Sequence, residues 1–534
     1  MPLPERNQTW PPPAVEAAGK LYTRWGAWYS GDPEQLVDAY SQVPGIDGTS
    51  TPPSGQPIGP RFLSGIARGV QRMFWGTPTS PGQVRGHKLH VPLAGDIAMT
   101  SADLLFGEPV EFVMPDAKKD DPTQIALDDM LDESNLAAVL LEGAEIGAAY
   151  GGYYLRVRWD SVLADCPLFD ALPPDAAVPE WRGGRLVAVT LWRNLERIDG
   201  RWWRHLERHE KGRVLHGVYV SGDENKLGRQ MALTDHPETA QFAMIVDAGG
   251  DGQTVTTGAT GLSCEYIPNM RPHRTLRGSP LGRSDYAGIE AILDALDEAW
   301  TSWMRDLRIG KGRLVVPRSY MSSHGRGRGA SFDADREVYE AVDTLAGESS
   351  TGGLAMQVVQ FKIRVDEHSR TCRELTVKAV SSAGYSPQTF GESDQIAATA
   401  TEVVARNAAS FRTRSRKVNY HRGPVRRVVF AGLEIYREKF PRAAGITPAP
   451  PMMKWPDGVA QDQEALARTL QMIQAAEAAS IRTRVKLFNP DWDDTEVDKE
   501  VSRIHAETGV GAQAPPGGGG GGSGFPGGPG KEPE

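Results

Sequence analysis

Apolar side chains recur every three or four residues through 283–309, at Ile289, Ile292, Leu293, Leu296, Trp300, Trp303, Met304 and Leu307. That spacing is the stripe of an amphipathic α-helix. Glu290, Asp294, Asp297 and Glu298 fall between these positions and predict an acidic face on the same helix. At the helical rise, its roughly 25 residues span about 38 Å. Gly310 and Gly312 stop it, and Leu314-Val315-Val316-Pro317 predicts a strand beyond. A second helix is predicted over 366–384 and is broken by the run from Tyr385 to Gly391. A third runs over about 394–421. Gly423-Pro424 kinks or restarts it, because proline has no N–H to donate, and it continues to about 440.

Two periods alternate upstream. Helical spacing covers 14–41, with Trp25, Trp28 and Tyr29, and 124–149, with Ile125, Leu127, Leu131, Leu136, Leu140 and Leu141. Residues 87–106 predict a short strand around Leu89 and Val91, then a helix carrying Ile97, Met99, Leu104 and Leu105. Gly151-Gly152 ends the 124–149 helix and a strand over 153–157 follows. Three antiparallel strands are predicted at 186–192, 202–208 and 214–220, with turns at Asp199-Gly200 and Lys211-Gly212. The class is therefore α+β and mainly helical. Residues 1–13, 42–60 and the basic, glycine-rich 321–330 read as irregular or loop, and 223–262 has no steady pattern. Residues 458–508 predict two or three polar helices. The tail 511–534, almost all Gly and Pro, cannot bury apolar surface and is expected to be disordered.

A chain of 534 residues exceeds one compact core, so two to four sub-structures are expected. Its formal net charge of −9 argues against a protein that clamps DNA by phosphate neutralisation, though not against a surface past which DNA slides. Cys166, Cys264 and Cys372 are dispersed and form no CxxC pair, which speaks for reduced thiols and against a zinc site. The N-terminus lacks a signal-peptide pattern. Glu142, Glu145 and several glycines interrupt the apolar stretch 136–157, so no membrane span is expected.

Candidate chemistry is sparse. Gly310-Lys311-Gly312 lacks the spacing of a phosphate-binding loop, which argues against an ATPase motor. His205 and His209, four apart on a strand, stand roughly 13 Å apart and make a poor metal pair. No catalytic set, cofactor or metal site is expected. Arg326 and Arg328 lie in the glycine-rich loop and could face DNA or a partner. The segment 401–440 is strongly basic, with Arg406, Arg412, Arg414, Arg416, Lys417, Arg422, Arg426 and Arg427. Either these pair with acidic faces of the same or a neighbouring subunit, the 283–309 helix being one, or they contact phosphate.

One stretch carries a family likeness. Ile267-Pro268-Asn269-Met270-Arg271-Pro272 leads into Leu281-Gly282-Arg283-Ser284-Asp285-Tyr286, then Leu293-Asp294-Ala295-Leu296-Asp297-Glu298, then Met304-Arg305-Asp306-Leu307-Arg308 and the strand ending at Pro317. Leu104-Leu105-Phe106-Gly107-Glu108-Pro109, Ser386-Pro387-Gln388-Thr389-Phe390-Gly391 and Thr399-Ala400-Thr401-Glu402-Val403 extend it. In order and spacing, over about 20–508, the chain resembles the portal proteins of long-tailed bacteriophages. The resemblance implies a homo-oligomeric ring, usually of twelve, around a tunnel for double-stranded DNA at one capsid vertex. It implies an N-terminal arm at 1–19, a wing at 20–282, stem helices at 283–309 and 366–384, a clip at 310–365 and a tunnel loop at 385–395. A long wing helix and return strand at 396–456, a crown at 457–510 and the 511–534 tail complete it. Gln388, Thr389 and Phe390 would form the loop's DNA-facing tip, polar and apolar but without fixed positive charge. The alternative is a packed helix–helix turn with Phe390 buried. The implied partners are the terminase large subunit, a head–tail connector and the capsid and scaffolding proteins, in the virion and, during assembly, the host cytoplasm. A minor head or other capsid protein is the alternative. A terminase or nuclease would need a phosphate-binding loop or a metal-binding carboxylate cluster.

Overall fold

The computed structural model describes residues 3–41, 88–115, 121–160, 163–247, 250–309, 364–391, 400–456, 470–476, 478–489 and 494–508, with short strands at 313–315, 322–323, 330–331 and 357–359. The expectations for 42–60, Arg326, Arg328, 392–399 and 511–534 lie outside these residues. The chain divides into a large unit, 1–397 with 401–458, and a small one made chiefly of 459–534.

The large unit is mixed helix and antiparallel sheet. Helices α1 (Pro13–Ser30), α2 (Pro33–Ser41) and α3 (Leu93–Phe106) precede strand β1 (Glu111–Val113), and α4 (Pro122–Glu133) and α5 (Leu136–Tyr150) follow it. Asp121 caps α4 by accepting from the N–H groups of Thr123 (2.7 Å) and Gln124, with Pro122 in the first turn. Strands β2 (Gly152–Arg158), β3 (Leu168–Leu172) and, later, β10 (Cys264–Pro268) form one sheet in the order β10-β2-β3. A larger sheet has the order β4 (Ala177–Arg182), β5 (Arg185–Asn194), β6 (Trp202–Glu210), β7 (Arg213–Ser221) and β8 (Arg229–Met231). The short helix α6 (Phe242–Ile245) precedes β9 (Thr254–Thr256), which also pairs with β7. Strands β5 to β7 and their tight turns fall where alternation and the turn residues predict them. Asp199 (φ 52°) and Gly200 (φ 71°) both take the left-handed conformation that such a two-residue turn requires.

Helix α7 (Glu290–Ile309) and helix α8 (Val365–Ala383) form an antiparallel hairpin. Between them lie β11 (Arg313–Val315), paired with β14 (Gln357–Val359), and β12 (Ser322–Ser323), paired with β13 (Ala330–Ser331). Helix α9 (Ala400–Lys439) is the longest, and β15 (Met452–Lys454) returns to pair with β1. Two apolar cores share α3 and α5. The first packs Leu105, Leu140, Tyr153 and Phe169 against Val425, Val428 and Leu433 of α9. The second packs Trp25, Trp28 and Ile97 against Leu293 and Leu296 of α7 and Val380 of α8. The small unit holds α10 (Ile481–Phe488) and α11 (Asp494–Thr508), joined by an Arg482–Asp498 ion pair at 2.8 Å, with Val485 and Val497 buried. Among the described residues no helix is long and apolar enough to cross a membrane.

Four expectations need correcting. The single helix expected over 124–149 is two, α4 and α5, parted at Asn135, whose φ of 49° is left-handed. The helix predicted from 283 starts at Glu290. Residues 284–286 are drawn off the helical path because Asp285 N–H and Ser284 Oγ both donate to Ala148 O, at 2.9 and 3.0 Å, while Gly288 turns with φ 91°. The strand expected at Leu89 and Val91 does not form. Their N–H groups donate instead to Thr301 Oγ1 (2.9 Å) and Asp297 Oδ1 (2.8 Å) of α7. Pro424 lies inside a continuous α9, so the helix does not restart there. The buried flank of Val425, Val428, Val429, Ala431 and Leu433 holds the helix together against a proline penalty of about 3 kcal/mol.

Candidate functional site

One buried carboxylate, that of Asp285, accepts from three separate stretches of the chain. Lys417 Nζ of α9 donates to Asp285 Oδ2 and to Ser101 Oγ of α3, both at 2.5 Å. Tyr385 OH donates to the same Oδ2 at 2.7 Å, and Asn269 Nδ2 donates to Oδ1 at 2.8 Å. Lys417 and Asp285 are fully buried. Burial pulls the Lys417 ammonium below the ordinary lysine range and the Asp285 carboxylate pulls it back up; burial drives the Tyr385 hydroxyl well upward. The node fastens α3, the exit of β10, the run into α7, the turn after α8 and α9 to one another. Lys417 thus serves inside its own chain and is withdrawn from the set that could face DNA or a neighbour.

The turn after α8 is built onto α9. Gly384 ends α8 with φ 100°, and Pro387–Phe390 form a short 3₁₀ turn. Ser386 N–H donates to Ser410 Oγ at 2.9 Å, Thr413 Oγ1 donates to Gly384 O at 2.6 Å, and Thr389 Oγ1 lies 2.8 Å from Ser410 Oγ and 3.2 Å from Asn407 Oδ1. Phe390 meets Tyr385 edge to face at 6.2 Å. Gln388, Thr389 and Phe390 are half-buried. Within one chain this stretch is a packed connector.

The acidic face of α7 turns inward, with one exception. Glu290 accepts from Trp25 Nε1 (3.3 Å) and Gly288 N–H (2.6 Å) and pairs with Arg24 at 3.1 Å. Asp294 pairs with Lys88. Asp297 is 1% exposed and receives Tyr40 OH at 2.7 Å, His90 Nδ1 at 2.9 Å and Val91 N–H. Burial first, and Asp297 second, push the Tyr40 hydroxyl well upward. Glu298 alone of the four is exposed. Sequence shows the carboxylates but not their partners, which, Gly288 apart, come from residues 24–91. In the outer half of the hairpin α7 is half-buried, while α8 is exposed except at His368. Trp300 stacks on Trp303 at 5.0 Å, Trp303 lies parallel to His368 at 6.1 Å, and Asp306 bonds His368 Nε2 (2.8 Å) and Arg364 (3.1 Å).

The basic residues of α9 serve separate ends. Arg414 donates to Leu104 O at 2.7 Å and Pro456 O at 2.6 Å, tying α3 to the return of the chain. Arg427 pairs with Glu265 at 2.9 Å. The Arg406 side chain lies outside the described residues. Arg412 and Arg416 are exposed and have no acidic partner among the described residues. Arg416 adjoins a second set that the sequence reading missed as site residues: Arg271, Arg274, Arg277 and Arg283, on a loop that contains no acid from 271 to 283. Arg271, Arg274 and Arg277 are exposed, and Tyr420 OH of α9 donates to Arg271 O at 3.2 Å. Arg283 is half-buried. Burial, then Arg274 and Arg416, lower its pKa, and its Nε is buried without a hydrogen-bond partner. Asp285 is near, but Lys417, Tyr385 and Asn269 already occupy it. The detectable signal was four arginines in thirteen residues without a carboxylate.

His205 and His209 lie on β6 as predicted. His205 Nε2 faces His216 Nδ1 at 3.2 Å beneath Phe242, and His209 bonds Ser263 Oγ at 2.7 Å. No group of metal-ligating side chains stands among the described residues.

No family model matches the chain, and no curated protein matches it. Among solved structures it is similar to a chain of the virion of the native gene transfer agent particle, with 14% identity and a TM-score of 0.35, over 81% of this chain and 95% of that one. It is also similar to a chain of the neck of that particle, computed with C12 symmetry, with 13% identity and a TM-score of 0.34, over 82% of this chain and 96% of the other.

Proposed function

We propose that this chain is the portal-type subunit of a phage-like head: a non-enzymatic ring, of twelve copies as the resemblance implies, through which double-stranded DNA passes. The observation that carries the reading is the α7–α8 hairpin. It brackets the 310–364 insertion, its inner end is locked by the Asp285 node, and a packed turn leads from it into the 40-residue α9. This order matches the stem, clip, stem, tunnel-loop and long-helix order of the family that the sequence resembles. The outer hairpin supports it too, since Leu307 (39%) and Val365 (45%) stay exposed beside half-buried tryptophans. A neighbouring copy would cover such a face. A net charge of −9 per subunit disfavours adhesion to phosphate along the whole wall, as a conduit needs. In this reading Gln388, Thr389 and Phe390 border the channel, held on α9, and the clip meets the packaging motor and then the connector. Electron microscopy of the purified full chain tests the proposal. Annular particles with a central hole wide enough for a DNA duplex are expected; globular particles of single-subunit size contradict it.

A further inference from the structure

Arg271, Arg274 and Arg416 gather beside Arg283 into one arginine surface, and among the described residues none of the three has an ion-pair partner. A surface of the opposite kind lies on α4. Its last two turns carry Asp128, Asp129, Asp132 and Glu133, all exposed and none ion-paired among the described residues. Asp128 with Asp132 and Asp129 with Glu133 are like-charge pairs four apart, and all four sit at the negative end of the helix dipole. Burial first, then its two aspartate neighbours, raise the Asp128 pKa. Beside them Ile125 is 50% and Leu163 66% exposed, and among the described residues of that rim the one cation, Arg442, is paired with Asp165 at 2.9 Å.

The two surfaces cannot meet within one chain. Arg416 lies in the N-terminal half of α9, whereas Tyr436, near its end, lines the groove beside α4. Twenty residues of helix separate them by about 30 Å. That is several screening lengths at physiological salt. We propose that the arginine surface of one copy receives the acidic end of α4 from the next. This is a head-to-tail contact of the kind whose repetition closes a ring, with Ile125 and Leu163 as its apolar margin. The inference rests on the ring reading and names the contact that sets its register.

The test reverses each charge set in the full chain and follows self-association by sedimentation velocity in low and high salt. Arg274→Glu with Arg416→Glu, and separately Asp129→Lys with Asp132→Lys, should each weaken association by at least about tenfold. A chain carrying all four changes should regain it, which also shows that the altered surfaces still fold. Single-set variants that assemble like wild type overturn the proposal and leave the ring intact. So does failure of the four-change chain to recover while its melting point is unchanged. Arginine variants that assemble normally but no longer retain DNA also overturn it, and assign the patch to phosphate. A wild-type chain that stays monomeric defeats the ring reading itself.

Discussion

Lys417 shows how one residue's surroundings decide its meaning. With its partner Asp285 it is sealed from water. Replacing only the lysine leaves a buried carboxylate without its compensating cation. Lys417→Met should therefore cost about 3–5 kcal/mol, whereas Lys417→Met combined with Asp285→Leu should cost clearly less. Denaturant midpoints for the two variants check this, and equal losses would contradict it. The buried histidines set a pH dependence. Burial holds His205 down to about 3 and His216 and His421 to about 4, against an ordinary value of 6.5. The unfolded chain therefore binds protons in a window where the folded chain does not, so folding stability falls as pH drops from about 6.5 toward 4. Melting temperature should fall across that window, and His216→Asn should flatten the fall. A flat wild-type profile would contradict the assignment.

At the scale of elements, α9 carries a proline that sequence rules place at a break. Restoring the missing hydrogen bond with Pro424→Ala should stabilise the protein by roughly 1–2 kcal/mol, after allowance for the greater freedom of the unfolded chain. A lower melting temperature would mean that the proline shapes the helix in a way alanine cannot. Helix α8 and strands β5 to β7 were legible because their apolar periods are regular. The inward stripe of α9 was not, because from 410 to 421 it is polar except for Val418: Ser410, Thr413, Lys417 and His421 precede Val425 and Val428, and all are buried. A hydrophobic period cannot register hydroxyls and an ammonium that bond inward, so Lys417 looked like one more member of a basic run. The acidic face of α7 misled for the complementary reason. Lys88, His90 and Tyr40, some 200 residues earlier, neutralise it. The start of α7 was misplaced because Asp285 answers to Lys417 and Ala148 rather than to its own helix. The arginine surface is assembled from a loop and a helix more than a hundred residues apart. Only the density of arginine in 271–283 foreshadowed it.

For the whole molecule, the half-covered hairpin and the two unneutralised charged surfaces point beyond one chain. The Gly- and Pro-rich run at 511–534 offers little apolar surface with which to hold copies together. A chain ending at Gly511 should therefore assemble as the full chain does; loss of assembly on truncation would give that segment a structural part. Native mass spectrometry of the full-length protein at micromolar concentration tests whether the chain closes into a ring. A twelve-membered ring gives one dominant species near twelve times the 58.0 kDa subunit mass. A single species at the subunit mass, in low and in moderate salt alike, would contradict it.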